Sequence, residues 1–249
     1  MNNAHSPQQI SSGFLAATGT KIFRYYEDRI PQSSPVLVVS NHRSFMDAPI
    51  LIAAVERPIR FACHHYMGQV PVMREIVTGG LGCFPLEAAP SRQQGFFQKA
   101  LQLLQANQVV GVFPEGTNPM VKFIQPNGIT DFQRGFAHLA LRADVGSDTV
   151  RPVKDLVILP IAISSIEEMS SSAVPLRLLS LFDPSEPLFN QNGWHPLVVY
   201  RRVAVLIGRP YRITPLMRQQ YQGKQAKTVV AELTNYCQAE IVNLLGQGC

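Results

Sequence analysis

The segment Asn41-His42-Arg43-Ser44-Phe45-Met46-Asp47 directly follows the apolar run Val36 to Ser40. A histidine at the end of a buried strand, with an aspartate five residues on, has the makings of an acid–base pair. In a regular helix five residues turn through about 500°, so the two side chains would not share a face. They can meet if His42 stays in the turn and Asp47 lies in the first turns of the next helix. Asp47 then accepts from one imidazole nitrogen, fixes the tautomer and leaves the other nitrogen as a general base. The spacing alone fits a structural histidine beside a helix-start aspartate as well. A second polar cluster, Phe113-Pro114-Glu115-Gly116-Thr117-Asn118, follows another apolar run. Pro114 limits the turn, Gly116 lets the backbone approach a ligand, and Glu115 is held where a strand meets a crevice. By itself this also fits an ordinary strand-to-loop exit.

Both clusters need elements to position them. Short apolar runs at Val36–Ser40, Ile59–Cys63, Leu81–Leu86, Val109–Phe113 and Leu156–Ile163 read as strands, and Leu197–Ile207 is long and β-rich. Between them, Ala48–Val55, Gln69–Thr78, the stretch from Ser91 (as N-cap) to Asn107, Phe132–Ala143 and Leu216–Leu245 carry helical periodicity. Continuous apolar strands separated by helices predict an α/β fold with a mainly parallel β-sheet flanked by helices. Ligands in such folds bind beyond the carboxyl ends of strands, where the two polar clusters sit. Ile10 to Arg29 places Ile10, Phe14, Leu15, Thr18, Ile22 and Tyr25 at three- and four-residue spacings, with Lys21 and Arg24 nearby. That pattern predicts an N-terminal amphipathic helix, packed on its own domain or lying on a membrane.

Composition narrows the classes. The 249 residues are 46% apolar and only 16% charged, against about 25% charged in a typical soluble domain. The shortfall argues against disorder and for a partly apolar surface. The balance of 22 Lys+Arg over 17 Asp+Glu gives +5, which suits anionic lipid, a phosphorylated substrate or nucleic acid. No uninterrupted apolar run is long enough to span a bilayer. Cys63, Cys83, Cys237 and Cys249 are far apart and form no C-x-x-C pair, so reduced thiols in a cytoplasmic protein are expected.

The ordered set N-H-x4-D at Asn41–Asp47, F-P-E-G-T at Phe113–Thr117 and V-x-L-P-I at Val157–Ile161 resembles the lysophosphatidate acyltransferase family, the glycerolipid acyltransferases with an H-x4-D motif. The resemblance runs from about Val36 to Ile163. It implies a glycerolipid acyltransferase-like fold and transfer of a fatty acyl group from a thioester, acyl-CoA or acyl-ACP, to a free hydroxyl of a lysophospholipid. The acceptor it implies is 1-acylglycerol-3-phosphate and the product phosphatidate. His42 matches the general base and Asp47 its orienting partner; the substrate's own alcohol stands where an enzyme serine would, so no acyl-enzyme is needed. Backbone N–H groups near the helix start after His42 are expected to meet the oxyanion. The chemistry requires no metal and no cofactor. Glu115, Gly116 and Thr117 match the block associated with acceptor binding.

The match has departures. An Arg expected after that block is Asn118, and the block Gly82-Cys83-Phe84-Pro85-Leu86-Glu87-Ala88 carries an acidic residue where Arg or its neighbour is expected. Phe132-Gln133-Arg134-Gly135 keeps Arg134 but has Gln for Lys. Arg92 and Lys122 could substitute in holding a phosphate. These departures keep open the same chemistry on a non-phosphate lipid alcohol or another lysolipid. A hydrolytic leak and a non-catalytic lipid-binding homologue are the other readings.

Residues 1–30 are thus expected to be a membrane-facing helix and 31–249 the acyltransferase domain. Membrane lipids and the acyl donor are the expected partners, at the cytoplasmic face of a membrane, with peripheral or monotopic attachment. Cys63-His64-His65 lacks a matching ligand cluster for metal. There is no G-x-S-x-G and no G-x-G-x-x-G in strand context. Arg201, Arg202, Arg209, Arg212 and Arg218 read as a solvated basic surface or a contact for headgroups or donor phosphates. No nucleic-acid motif accompanies them. Trp194, in the Gly/Pro/Asn-rich stretch 190–196, is a candidate interfacial anchor.

Overall fold

A computed structural model describes residues 6–63, 74–87, 91–116, 125–143, 153, 155–175, 177 and 192–247. In chain order the elements are α1 (Pro7–Ala17), β1 (Lys21–Tyr25), β2 (Val36–Ser40), α2 (Asp47–Val55), β3 (Ile59–Cys63), β4 (Phe84–Pro85), α3 (Arg92–Gln105), β5 (Val109–Val112), α4 (Gly135–Arg142), β6 (Val157–Pro175), β7 (Trp194–Ile207), β8 (Tyr211–Arg212), α5 (Pro215–Gln222) and α6 (Ala226–Gly246). The strands form one sheet in the order β1-β7-β6-β2-β5-β3-β4, with β8 on β6. Every neighbouring pair is parallel except β6–β7 and β6–β8. The sheet is therefore mostly parallel and flanked by helices, as the sequence pattern predicts.

Alternation along β2 shows why both faces are covered. Leu37 and Val39 enter one core with residues of α3, α4 and α6, while Val36 and Val38 enter the other with α1 and α2. Parallel strands buried on both sides read as unbroken apolar runs, which is what made them visible. Gly111 in β5 has a packing reason: a Cβ there would stand 2.2 Å from the ring of Phe61, itself only 2% exposed.

Several expectations need correction. The N-terminal helix does not reach Arg29. It ends at Ala17, and Lys21–Tyr25 is an edge strand paired in parallel with β7. Ile22 and Tyr25 keep helical spacing from Phe14, but after Gly19 (φ +68) the chain runs extended. The second half of segment 1–30 thus belongs to the sheet. β6 continues twelve residues past Ile163, to Pro175, as an antiparallel ribbon with β7. Ser91 precedes α3 but makes no side-chain cap bond. The long C-terminal helix is two, α5 and α6, broken at Gly223. Glu75–Gly80 is a π-helical turn; residues 69–73 of the expected helix, with His64 and His65, lie outside the described residues.

The basic C-terminal residues are not one solvated patch. Arg209 donates from its backbone N, Nε and Nη2 to Glu240 of α6, and Arg218 is buried with Nη2 on the Val153 carbonyl. Trp194 opens β7 and is exposed. No helix among the described residues is long and apolar enough to cross a membrane. Cys63, Cys83 and Cys237 are free and buried; burial pushes the Cys63 thiol up to about 11 and Cys83 up to about 12, so neither is a nucleophile at neutral pH.

Gly111→Ala should overpack the sheet against Phe61 and lower stability by about 1–3 kcal/mol, measured by denaturant unfolding.

Candidate active site

β2 and β5 are adjacent and parallel, with Val39 opposite Val112. Their carboxyl ends therefore release the loops bearing His42 and Glu115 side by side. His42 stays in the turn, and Asp47 is the first residue of α2, the arrangement the five-residue spacing demanded. Nδ1 of His42 lies 2.8 Å from Asp47 Oδ2. A carboxylate only accepts, so Nδ1 donates. Nε2 has no partner among the described residues, and the ring is 18% exposed. Asp47 Oδ2 also accepts from the N–H of Arg43 at 2.7 Å and of Ser44 at 2.8 Å. Asp47 is 1% exposed, and its place in the first turn of α2 adds the favourable end of the helix dipole.

Of the backbone N–H groups near the helix start, the region expected to meet the oxyanion, those of Arg43 and Ser44 bond Asp47, and those of Met46 and Asp47 bond Ser44.

Glu115 is fully buried. Oε1 accepts from the His42 backbone N–H at 2.9 Å, and Oε2 accepts from the N–H and hydroxyl of Thr130. Its carboxylate holds the turn that carries His42. Gly116 (φ +68) has a close neighbour in Gln133, whose Nε2 would stand 2.6 Å from an added Cβ. Gln133, the departure from Lys, also donates its N–H to the Pro114 carbonyl at 2.8 Å. Arg134 is exposed beside it, at the start of α4. Arg92 is the first residue of α3 and half-buried. Thr117, Asn118 and Lys122 lie outside the described residues. The acidic departure Glu87 packs its carboxylate against Gly95 in the first turns of α3, where a negative charge is favoured.

Aromatic stacking fixes the imidazole from below. His42 lies on Phe113 at 4.1 Å between centroids, 14° from parallel, and Phe113 lies on Phe61 at 5.0 Å and 10°. The stack ends over Gly111, so the missing Cβ in β5 makes room for the ring beneath the histidine.

Four anchors escaped the sequence reading. The Asn41 side chain exchanges two hydrogen bonds with the Ile163 backbone, at 2.8 and 2.9 Å. Ser44 Oγ donates to the Val198 carbonyl. Arg43 forks onto both oxygens of Glu168 at 2.9 and 3.0 Å. Tyr200, cross-strand from Glu168, is 1% exposed; burial first and the neighbouring Asp47 carboxylate next raise its phenol well above the usual range. It is thus a neutral donor beside Asp47. A serine- and glutamate-rich strand gives no periodic signal, so only the ribbon's register reveals Glu168 and Tyr200.

The result is an imidazole oriented by a buried carboxylate. Among the described residues no group of three or more His, Cys, Asp or Glu could hold a metal ion.

Residues 21–164 match the family model described as Acyltransferase. Over 104 residues the chain is 28% identical to a 1-acyl-sn-glycerol-3-phosphate acyltransferase of Borreliella burgdorferi, covering 41% of each chain. The match thus spans about two fifths of that relative's length. The fold is similar to the crystal structure of the 1-acyl-sn-glycerophosphate (LPA) acyltransferase PlsC from Thermotoga maritima, with TM-score 0.59 and 15% identity over 97% of this chain and 77% of that one.

Burial pushes the Glu168 carboxyl up, but the hydrogen bonds from Arg43 and Ser165 outweigh it and hold it below the usual range. Its contribution to stability is therefore complete above the unfolded carboxyl's pKa and disappears as pH falls through the lower folded value. Glu168→Gln should cost about 3 kcal/mol at neutral pH, and urea unfolding across the acid range should show a shallower loss for the variant. An unchanged acid-side slope would mean the pair does not hold the loop.

Proposed function

The chain belongs to the acyltransferase family, and we propose that it transfers a fatty acyl group from a thioester to the free hydroxyl of lysophosphatidate, giving phosphatidate. One observation carries the reading: an imidazole bonded through Nδ1 to a buried aspartate, with Nε2 left without a partner among the described residues. Nε2 takes the proton of the acceptor hydroxyl as its oxygen attacks the thioester carbonyl. The tetrahedral intermediate collapses, the carbon–sulfur bond breaks, and the imidazolium returns the proton to the leaving thiolate. Asp47 stabilises the imidazolium meanwhile, as in a serine triad without the serine. Neither metal nor cofactor takes part; the thioester is a co-substrate.

Acceptor binding falls to the crevice rim, where Arg134 is exposed. Arg92, Lys122 and Thr117 remain proposals for the same role. Glu115 and Gly116 support the site through the loop rather than by touching the lipid. Lysophosphatidate is the acceptor of this reading because Arg134, the basic residue kept from the matching block, is exposed, while the Glu87 carboxylate lies against Gly95 of α3.

The protein works at a membrane surface. Phe14 of α1 meets Phe45 of the catalytic loop edge-on at 6.2 Å, and Phe45 is 47% exposed. An apolar rim beside the base suits acceptors held in a lipid layer.

Purified protein should be offered a labelled acyl thioester with lysophosphatidate and a monoacylglycerol in parallel, on vesicles. Lysophosphatidate should be acylated preferentially, and His42→Ala should lose about 10²–10⁴-fold in turnover with its circular dichroism unchanged. Retained turnover would remove the mechanism. Preference for the monoacylglycerol would select the phosphate-free reading. Protein lacking residues 1–17 should sediment less with vesicles; equal sedimentation would remove α1 from membrane attachment.

A further inference from the structure

The sheet face opposite α1 and α2 carries a mainly apolar cleft, with a donor cluster at His138, Arg142 and Tyr221, that the acyl-transfer chemistry does not use. It has a volume of about 530 Å³ and is lined by Leu101, His138, Arg142, Tyr221, Gln222 and Ala226. That is within the range of small-ligand sites. Among the described residues no carboxylate lines it. Arg142 Nε donates to the Tyr221 hydroxyl oxygen at 2.8 Å, and His138 Nδ1 lies 2.9 Å from the same oxygen. The phenol oxygen thus joins the imidazole and the guanidinium into one cluster. Burial first, then Arg142 and Arg134, lower the proton affinity of His138. Arg142 is also braced over the Phe97 ring at 5.9 Å. Held at Nε, the guanidinium keeps its terminal nitrogens for a phosphate.

Arg134, His138 and Arg142 recur every four residues, so they line one face of α4. From Arg134 to Arg142 the helix rises about 12 Å. Its start is tied to the Glu115 loop through Gln133 and Pro114. Lys224 and Lys227, both exposed, flank the turn between α5 and α6. The walls therefore offer donors and positive charge, with the Tyr221 ring as a flat surface. Such a concave site suits a phosphorylated nucleotide better than the convex face of a carrier protein.

We propose that this cleft holds the phosphorylated nucleotide end of a coenzyme A thioester, with the pantetheine arm running along α4 toward His42. The proposal rests on the acyl-transfer reading and names its donor. A water-soluble donor then reaches His42 across the face of α4, α5 and α6, while the lipid acceptor arrives beside α1 and Phe45.

The test compares palmitoyl-CoA with S-palmitoyl-pantetheine, which has the same thioester and no nucleotide, in the full chain and in Arg142→Glu. Coenzyme A binding is followed separately by calorimetry. Arg142→Glu should raise KM for palmitoyl-CoA about tenfold or more and weaken coenzyme A binding equally. Transfer from palmitoyl-pantetheine and KM for lysophosphatidate should not change. Equal losses with both thioesters, or equal wild-type KM for both, would overturn the proposal. So would preferred use of an acyl carrier protein with coenzyme A unbound. If no thioester supports transfer, the acyl-transfer reading fails on its own. The calorimetry still decides the cleft: binding lost in Arg142→Glu supports it, and no binding in the wild type overturns it.

Discussion

Burying the Asp47 carboxylate is the constraint on which the site depends. A carboxylate removed from water is unfavourable by several kcal/mol unless donors surround it. Here one oxygen collects the His42 imidazole and two backbone N–H groups. For all three to reach it, the chain must leave β2, turn back over the start of α2 and place His42 outside the helix. The same demand sets the tautomer, because an acceptor-only partner obliges Nδ1 to keep the proton. Imidazole orientation and helix initiation are thus one event.

A second buried carboxylate closes the turn from the other side. Glu115 binds the His42 backbone from β5, which works only because β2 and β5 are parallel neighbours with carboxyl ends level. The antiparallel ribbon of β6 and β7 supplies the third wall, through Glu168 on Arg43 and Val198 on Ser44. Asn41 ties the end of β2 to Ile163. The stack from His42 through Phe113 to Phe61 fills the floor. The supports come from β3, β5, β6 and β7 or the loops that follow them, so the order of the sheet decides whether the pair exists at all.

The parallel core strands and the His42–Asp47 pair were legible because each leaves a local signal. An apolar run marks a strand covered on both faces. A five-residue spacing can close only across a turn and a helix start. β1 was misread since Ile22 and Tyr25 happen to continue the spacing of Phe14, while its pairing with β7 spans most of the chain. The outer half of β6 is rich in serine and glutamate, and its strand character comes from β7 alone. Glu115 was placed correctly at a strand end, but its partners are backbone groups distant in sequence, so ligand binding and loop support looked the same. Glu168 and Tyr200 become neighbours of the catalytic loop only through register. The departures at Gln133 and Glu87 looked like lost phosphate contacts; packing shows Gln133 filling space at Gly116 and Glu87 lying against α3.

The two faces of the sheet divide the work. α1 and α2 bring an apolar rim to His42, and α4 leads away from it toward a cleft of donors. Everything on both sides presupposes that His42 offers Nε2 as a base. Nitrogen NMR on histidine-labelled protein tests this directly. The account predicts a neutral His42 ring with its proton on Nδ1, in a strong hydrogen bond to Asp47, and Nε2 unprotonated. A neutral ring carrying its proton on Nε2 would contradict it.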